Sequence, residues 1–190
     1  MIRLWLRYAL LAGMVPALGA CASLSSMPVG NHSVPQPAKA VDIDRYLGRW
    51  YEIYRYDASF QKNCEAVSAD YSRNADGSIR VVNTCRKGAT DGPVKTAIGR
   101  AKIVDPVSGA KLKVSFFGPF YGNYWVLDRD DAYRWAIVGE PSGRYLWVLS
   151  REANPSDSLK TTLRRRVEEL GYDWALVRVT KQQPEQTPKS

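Results

Sequence analysis

The chain is predicted to be all-β: an eight-stranded antiparallel up-and-down β-barrel, with one C-terminal α-helix packed outside it and a short final strand. Three observations predict this. Between about Val41 and Thr180, short β-like runs alternate with turn signals in the pattern of a meander. After the eighth run the apolar period changes from two to that of a helix, once. Eight meander strands with one helix outside also argue for closure, because a closed barrel removes the edge strands that an open sandwich would have to guard.

The eight runs are Arg49–Tyr56, Glu65–Arg73, Ser78–Arg86, Val94–Val104, Ala110–Phe117, Asn123–Asp128, Tyr133–Val138 and Tyr145–Arg151. The fifth alternates most clearly: Ala110, Leu112, Val114 and Phe116 stand against Lys111, Lys113 and Ser115, so one face is apolar and the other wet. Asn74-Ala75-Asp76-Gly77 is a hairpin signal joining the second and third runs. Asn154-Pro155-Ser156-Asp157 then offers a capping residue and an early proline. Leu159, Leu163, Val167 and Leu170 follow at helical spacing until Gly171 stops the run. The other side of this helix carries Lys160, Arg164, Arg165 and Glu168, a solvated face or, alternatively, a contact for lipid headgroups. Trp174–Thr180 reads as the final strand, and residues 181–190 as a frayed tail containing Pro184 and Pro188.

The front of the chain has a different character. Arg3 and Arg7 precede an apolar run from Leu10 to Leu18 that is too short to span a bilayer, and Leu18-Gly19-Ala20-Cys21 follows. This resembles the lipobox of a bacterial lipoprotein precursor. The resemblance implies that residues 1–20 are a signal peptide, that the thiol of Cys21 is acylated, and that the mature chain begins there. Ala22, in place of Asp, resembles the sorting pattern for the outer membrane, with the domain on its periplasmic face. An ordinary secretory signal cut near Ala20 or Ala22 is the alternative. From Cys21 to about Ala40 the chain is rich in Ser, Pro, Gly and Ala without an apolar period, and reads as a flexible tether.

The 170 residues from Cys21 onward suit one domain with a real core. The full chain has 27 Lys+Arg against 19 Asp+Glu; two of those arginines lie in the leader, which lowers the excess from +8 to +6. The basic residues are scattered and the chain is exported, so nucleic acid is not an expected partner. With Cys21 set aside, Cys64 and Cys85 remain as a pair in a compartment that permits disulfides, enclosing 20 residues. Metal binding is the weaker reading, because the only histidine, His32, sits in the expected tether. The same absence removes Ser-His and Cys-His catalytic arrangements from the folded domain.

Three segments together carry a family resemblance. Asp44-Arg45-Tyr46-Leu47-Gly48-Arg49-Trp50-Tyr51-Glu52-Ile53, the aromatic block Ser115 to Tyr124, and Tyr145-Leu146-Trp147-Val148-Leu149-Ser150-Arg151 resemble the lipocalins, and most of all the bacterial outer-membrane lipocalins related to apolipoprotein D. The resemblance implies that Gly48, Trp50 and Arg151 are structural signature positions, with Trp50 plugging the closed end and the Arg151 guanidinium packed on it. Asp128 to Tyr133 matches the family's second region, although Ala132 interrupts the usual Thr-Asp-Tyr form.

If Trp50 points inward, strict alternation takes Glu52, Tyr54 and Tyr56 with it. Alternation likewise places Val67, Ala69 and Tyr71, then Leu112, Val114 and Phe116, and Trp147 on the inner face, an aromatic interior suited to an amphiphile or to ordinary packing. The loops 57–63, 87–93, 118–122 and 139–143 share the open mouth, where Phe117, Phe120 and Tyr121 project as a ligand gate, a membrane contact or an inward lid. The resemblance implies cofactor-free, non-enzymatic binding of a fatty acid or lysophospholipid by a protein held to the membrane through its anchor. The alternatives are a solidly packed barrel acting as an interaction module, including a homodimer through the mouth, and an isomerase or de-epoxidase using Cys64.

Overall fold

The computed structural model describes residues 27–184. The expected signal peptide, Cys21 and the last six residues lie outside that range. The short helix α1 (Ile43–Tyr46) comes first, its N-terminus capped by the Asp42 carboxylate, which accepts from the amides of Asp44 and Arg45. Eight strands follow: β1 (Gly48–Tyr56), β2 (Cys64–Arg73), β3 (Ile79–Lys87), β4 (Val94–Ile103), β5 (Lys111–Phe117), β6 (Phe120–Arg129), β7 (Trp135–Gly139) and β8 (Leu146–Ser150). The helix α2 (Asp157–Glu169) and the strand β9 (Val177–Val179) complete the chain.

Each strand pairs antiparallel with the next, and β1 pairs with both β2 and β8, which closes the barrel. β1 stays with β2 only through Tyr51, opposite Ser68. Beyond that point the two diverge and β9 fills the gap, pairing with Tyr54–Tyr56. Lys181 and Gln182 finish the seam. Lys181 donates to the Glu65 carboxylate and accepts from the Ala66 amide, while Gln182 donates to the carbonyls of Glu52 and Val67. The first residues of the expected frayed tail are therefore part of the wall.

The apolar residues form two cores. One fills the lower barrel with side chains from all eight strands, among them Trp50, Tyr71, Val81, Ala101, Leu112, Val126, Val138 and Leu149. The other lies between the outside of β1, β6, β7 and β8 and the helix α2, which contributes Leu163 and Val167, both fully buried. The basic side of α2 is largely self-neutralised: Lys160 pairs with Asp157, Arg164 with Glu168 and Arg165 with Glu169. Arg166 reaches the other way to the buried Asp128 and ties the helix to β6.

The strand pairing shifts at four places, in β1, β2, β5 and β6, and the first two of these bulges change which side chains face inward at the upper seam. Between Glu52 and Tyr54 the pairing of β1 with β8 shifts by one residue, because Ile53 is an extra residue in the wall. Tyr54 and Tyr56 consequently turn outward into the second core, against Trp174 and Tyr172 respectively. The expectation that they line the cavity is corrected, and Arg55 takes the inward place. A second shift, between Glu65 and Ser68 with Ala66 at φ 45°, returns Cys64 to the face that carries Cys85, and the two are joined as a disulfide with Cα atoms 5.5 Å apart.

The segment expected to be a tether is largely docked. The amides of Gly30 and Asn31 both donate to Gly143 O, Asn31 Nδ2 donates to Leu170 O, and the Asp173 amide and Tyr56 hydroxyl donate to Gly30 O. Further on, Arg129 donates to Ala40 O and the Val41 amide to Ser108 O. Residues 30–41 thus form a strap down the outside of the barrel, from the β7–β8 turn to the β4–β5 turn. Gly143 is required at its start, since with φ 65° an added Cβ would lie 1.8 Å from Asn31 O.

Candidate ligand-binding barrel

The lower end of the barrel is closed by the residues that the family resemblance singles out. The Arg151 guanidinium carbon lies 3.8 Å from the centroid of the Trp50 ring. Arg151 also donates to the carbonyls of Arg45, Tyr46, Leu47, Arg49 and Tyr133, so one cation gathers the orphan acceptors around α1 and the β1 entry. The Trp50 indole donates to Tyr46 O at 2.8 Å. Above the plug, the hydroxyls of Tyr46 and Tyr71 meet that of Tyr124, at 2.7 and 3.0 Å. Burial raises all three above the ordinary phenol range, Tyr71 to about 12, so they stay neutral and hydrogen-bonded at physiological pH. Tyr133, the end of the second family region, accepts the Asp42 amide through its hydroxyl, and Arg45 and Arg129 each lie 4.4 Å from its ring centroid.

The upper half is furnished differently. Glu52, inward as expected, pairs with Arg55 at 2.7 Å, and both are almost wholly buried. Gln61 spans the mouth from the 3-10 turn Ser59–Gln61. Its amide nitrogen donates to Glu52 Oε2 at 2.8 Å, and its oxygen accepts from Trp147 Nε1 at 2.8 Å. Thr180, from the end of β9, bonds both Glu52 and Arg55, and the carbonyls of Gln61 and Cys64 accept from Arg55 Nη2. Arg55 Nε is left buried with no hydrogen-bond partner. Beside this network the rings of Phe60, Tyr145 and Trp147 form a ladder from the rim inward, with successive centroids 5.8 and 5.6 Å apart.

The remaining expected site residues divide by depth. Leu112 and Tyr71 belong to the packed lower core, while Ala69, Val114 and Phe116 are only partly buried above it. Val67 packs with the Cys64–Cys85 disulfide. Phe117 and Phe120, facing each other at the tip of the β5–β6 hairpin, are 80% and 79% exposed, and Tyr121, also exposed, lies beneath the Lys102 ammonium. None of these last three lines the interior. Asn83 falls on the inner face opposite Ala69, and its Oδ1 is a buried acceptor with no partner. Surface hollows of about 370 Å³ beside Ile98 and Tyr121, and about 450 Å³ beside Val41 and Pro106, lie on the outer side of β3–β5 and at the closed end.

Arg55, Gln61, Asn83, Tyr124 and Thr180 are site residues that sequence reasoning missed. Alternation sends Arg55 outward unless the bulge at Ile53 is known, and Gln61 stands in a loop without a pattern. Tyr124 was within reach, as an alternating position at the end of the aromatic block. Among the described residues no group of three or more His, Cys, Asp or Glu side chains is placed to hold a metal ion. Cys64 is tied to Cys85, so it offers no thiolate to a substrate. What the upper barrel presents is an aromatic wall with a few buried polar groups, the chemistry of a pocket that holds an amphiphile by its apolar chain.

Comparison with known proteins agrees with this architecture. A family model described as a lipocalin-like domain matches residues 41–182. The outer membrane lipoprotein Blc of Citrobacter freundii is 45% identical over 134 residues, covering 67% of this chain and 75% of the relative. The protein of the same name from Escherichia coli K12 is 41% identical over 149 residues, covering 74% and 82%. Among solved structures, lobster apocrustacyanin A1 superposes with a TM-score of 0.60 at 18% identity, over 84% of this chain and 94% of that one, a likeness of fold alone. With the Trp50–Arg151 plug, the closed eight-stranded barrel and the matched domain in agreement, the chain belongs to the lipocalin family.

Proposed function

We propose that this lipocalin is anchored to the outer membrane through acylated Cys21, faces the periplasm, and carries fatty acids or lysophospholipids without a cofactor. The observation that carries the reading is the contrast within the barrel. Its lower half is filled by a dense core, whereas Ala69, Val114, Phe116 and Trp147, which pack against it, are only partly buried, and Gln61 bridges the mouth above them. Such a depth suits one acyl chain lying along the aromatic ladder with its head at the rim. The anchor and its membrane are supported by Leu18-Gly19-Ala20-Cys21 and by relatives that carry the name outer membrane lipoprotein.

The test uses the mature protein extracted from membranes with its anchor intact. After removal of copurifying lipid, fatty acids and lysophospholipids of increasing chain length are added while tryptophan fluorescence is followed. Saturable binding at micromolar concentration with a clear chain-length dependence is the expected result. Absence of uptake for every lipid would sink the carrier reading and leave a packed barrel that serves as an interaction module. The mass of the same preparation reads acylation at Cys21, and protease access in intact against permeabilised cells reads the periplasmic face.

A further inference from the structure

The strap places the anchor at the mouth of the barrel. Arg144, on the β7–β8 turn, donates to Met27 O, and three residues later Gly30 and Asn31 bond Gly143 on the same turn. That turn joins the C-terminal end of β7 to the N-terminal end of β8, and so lies at the same end as the Ser59–Gln61 turn and the Phe117–Phe120 tip. Met27 is only six residue steps from Cys21. At no more than about 3.6 Å each they reach roughly 20 Å even when fully extended. A tether running free to Ala40 would have left the barrel at its closed end with its mouth directed anywhere. The docked strap instead brings the chain out beside the open rim.

The rim is built for an interface. Phe117 and Phe120 are four-fifths exposed and Phe60 is 59% exposed, each on a turn at the open end. Large aromatics exposed at the ends of turns are the residues that settle at the level of lipid headgroups. Lys62, Lys87 and Lys95 flank the same end, and among the described residues no carboxylate lies within 4.0 Å of their ammonium groups, in contrast to the paired arginines of α2. Each such cation is attracted to an anionic leaflet. The opposite end carries Asp44, Asp130 and Asp131, each paired with an arginine, and exposes Val104 and Val107 but no aromatic ring among its described residues.

We infer that the open rim docks on the bilayer that holds the anchor, with Phe60, Phe117 and Phe120 at headgroup level and the barrel mouth facing the lipid. This rests on the reading of Cys21 as acylated, and it does not need the barrel to be loaded. Docked in this way, an acyl chain would pass between leaflet and barrel without crossing water.

The full acylated chain, reconstituted in vesicles of phosphatidylethanolamine and phosphatidylglycerol, tests the inference without any ligand. A nitroxide is attached to Gly118→Cys, where an added Cβ meets nothing within 4 Å, or to Ala132→Cys in the exposed turn at the closed end. Collision with oxygen and with a nickel chelate gives the depth of each label. The label at 118 is expected ~5–10 Å below the phosphate level and that at 132 in water. Phe117→Ser combined with Phe120→Ser, both at exposed positions that leave the fold alone, should return the label at 118 to water. An anchored chain whose two labels are equally wet overturns the docking while leaving the carrier reading to the fatty-acid titration. Shielding at 118 accompanied by spin–spin broadening between copies assigns the rim to a second copy of the chain and likewise overturns it. A mass without acyl groups removes the anchor and the inference with it.

Discussion

The two ends of the barrel are made from the same strands and solve opposite problems. At the closed end the strong groups of the described residues are met locally: Arg151 serves five carbonyls and one indole face, three tyrosines share their hydroxyls, Asp44 pairs with Arg73, Asp130 with Arg134 and Asp131 with Lys39 and Arg129, while Arg45 donates to the Asp131 carbonyl. At the open end apolar rings stand in water, Lys62, Lys87 and Lys95 have no carboxylate within 4.0 Å among the described residues, and Gln61 bridges the mouth. The difference teaches that stability and binding are kept apart. The lower half holds the fold together, and the upper half is free to be incompletely packed. The buried Glu52–Arg55 pair is the exception, a rigid polar brace set within the open half, where β9 seals the seam.

The largest effect expected is that of breaking the closed end. Trp50→Ala removes a fully buried ring and the surface on which Arg151 rests, and should lower unfolding free energy by about 3–5 kcal/mol in urea titration. Close behind, Glu52→Ala strands the Arg55 guanidinium, which is completely buried, and should cost about 3–5 kcal/mol. Restoring most of that loss by also replacing Arg55 with Met would show that the brace acts as a pair. A result near zero for the single variant would mean that the open half contributes little to the fold.

A smaller effect comes from pH. Because burial raises the Tyr71 hydroxyl to about 12, the contribution of this group to stability should be constant below pH 10 and fall as pH rises from 10 toward 12, where the unfolded chain ionises first. Two pH units on one group amount to roughly 2.7 kcal/mol. Tyr71→Phe should make that alkaline limb shallower, with the raised Tyr46 and Tyr124 hydroxyls keeping the rest of it, and an unaltered limb would shift the responsibility to those other groups. The smallest effect is at the rim. Phe120→Ser changes an exposed side chain and should alter stability by less than about 0.5 kcal/mol. A larger loss would mean that the hairpin tip packs more firmly than its exposure indicates.

How much of this was legible in the sequence depends on the range over which each feature is encoded. Strands and helix are local statements: the alternation of Leu112, Val114 and Phe116 and the four-residue spacing of Leu159, Leu163 and Val167 place their elements within a few residues of those observed. The signature positions Gly48, Trp50 and Arg151 were likewise readable, because a closed barrel of this family needs its plug at a defined point of β1 and β8. The side of the wall on which a residue falls is not local. It depends on register with the neighbouring strand, and the single extra residue at Ile53 sends Tyr54 and Tyr56 out and Arg55 in.

By itself, then, the sequence determined the meander, its closure and the pairing of Cys64 with Cys85 as neighbours across a hairpin, all of which follow from patterning and spacing along the chain. Only the tertiary structure decided the inner face above Glu52, the brace of Arg55 with Thr180 across 125 positions, and the docking of residues 30–41 as a strap. The physical reason is the same in each case. These features are held by hydrogen bonds and packing between segments remote in sequence, and Pro-, Ser- and Gly-rich chain has no period that announces the surface on which it will lie.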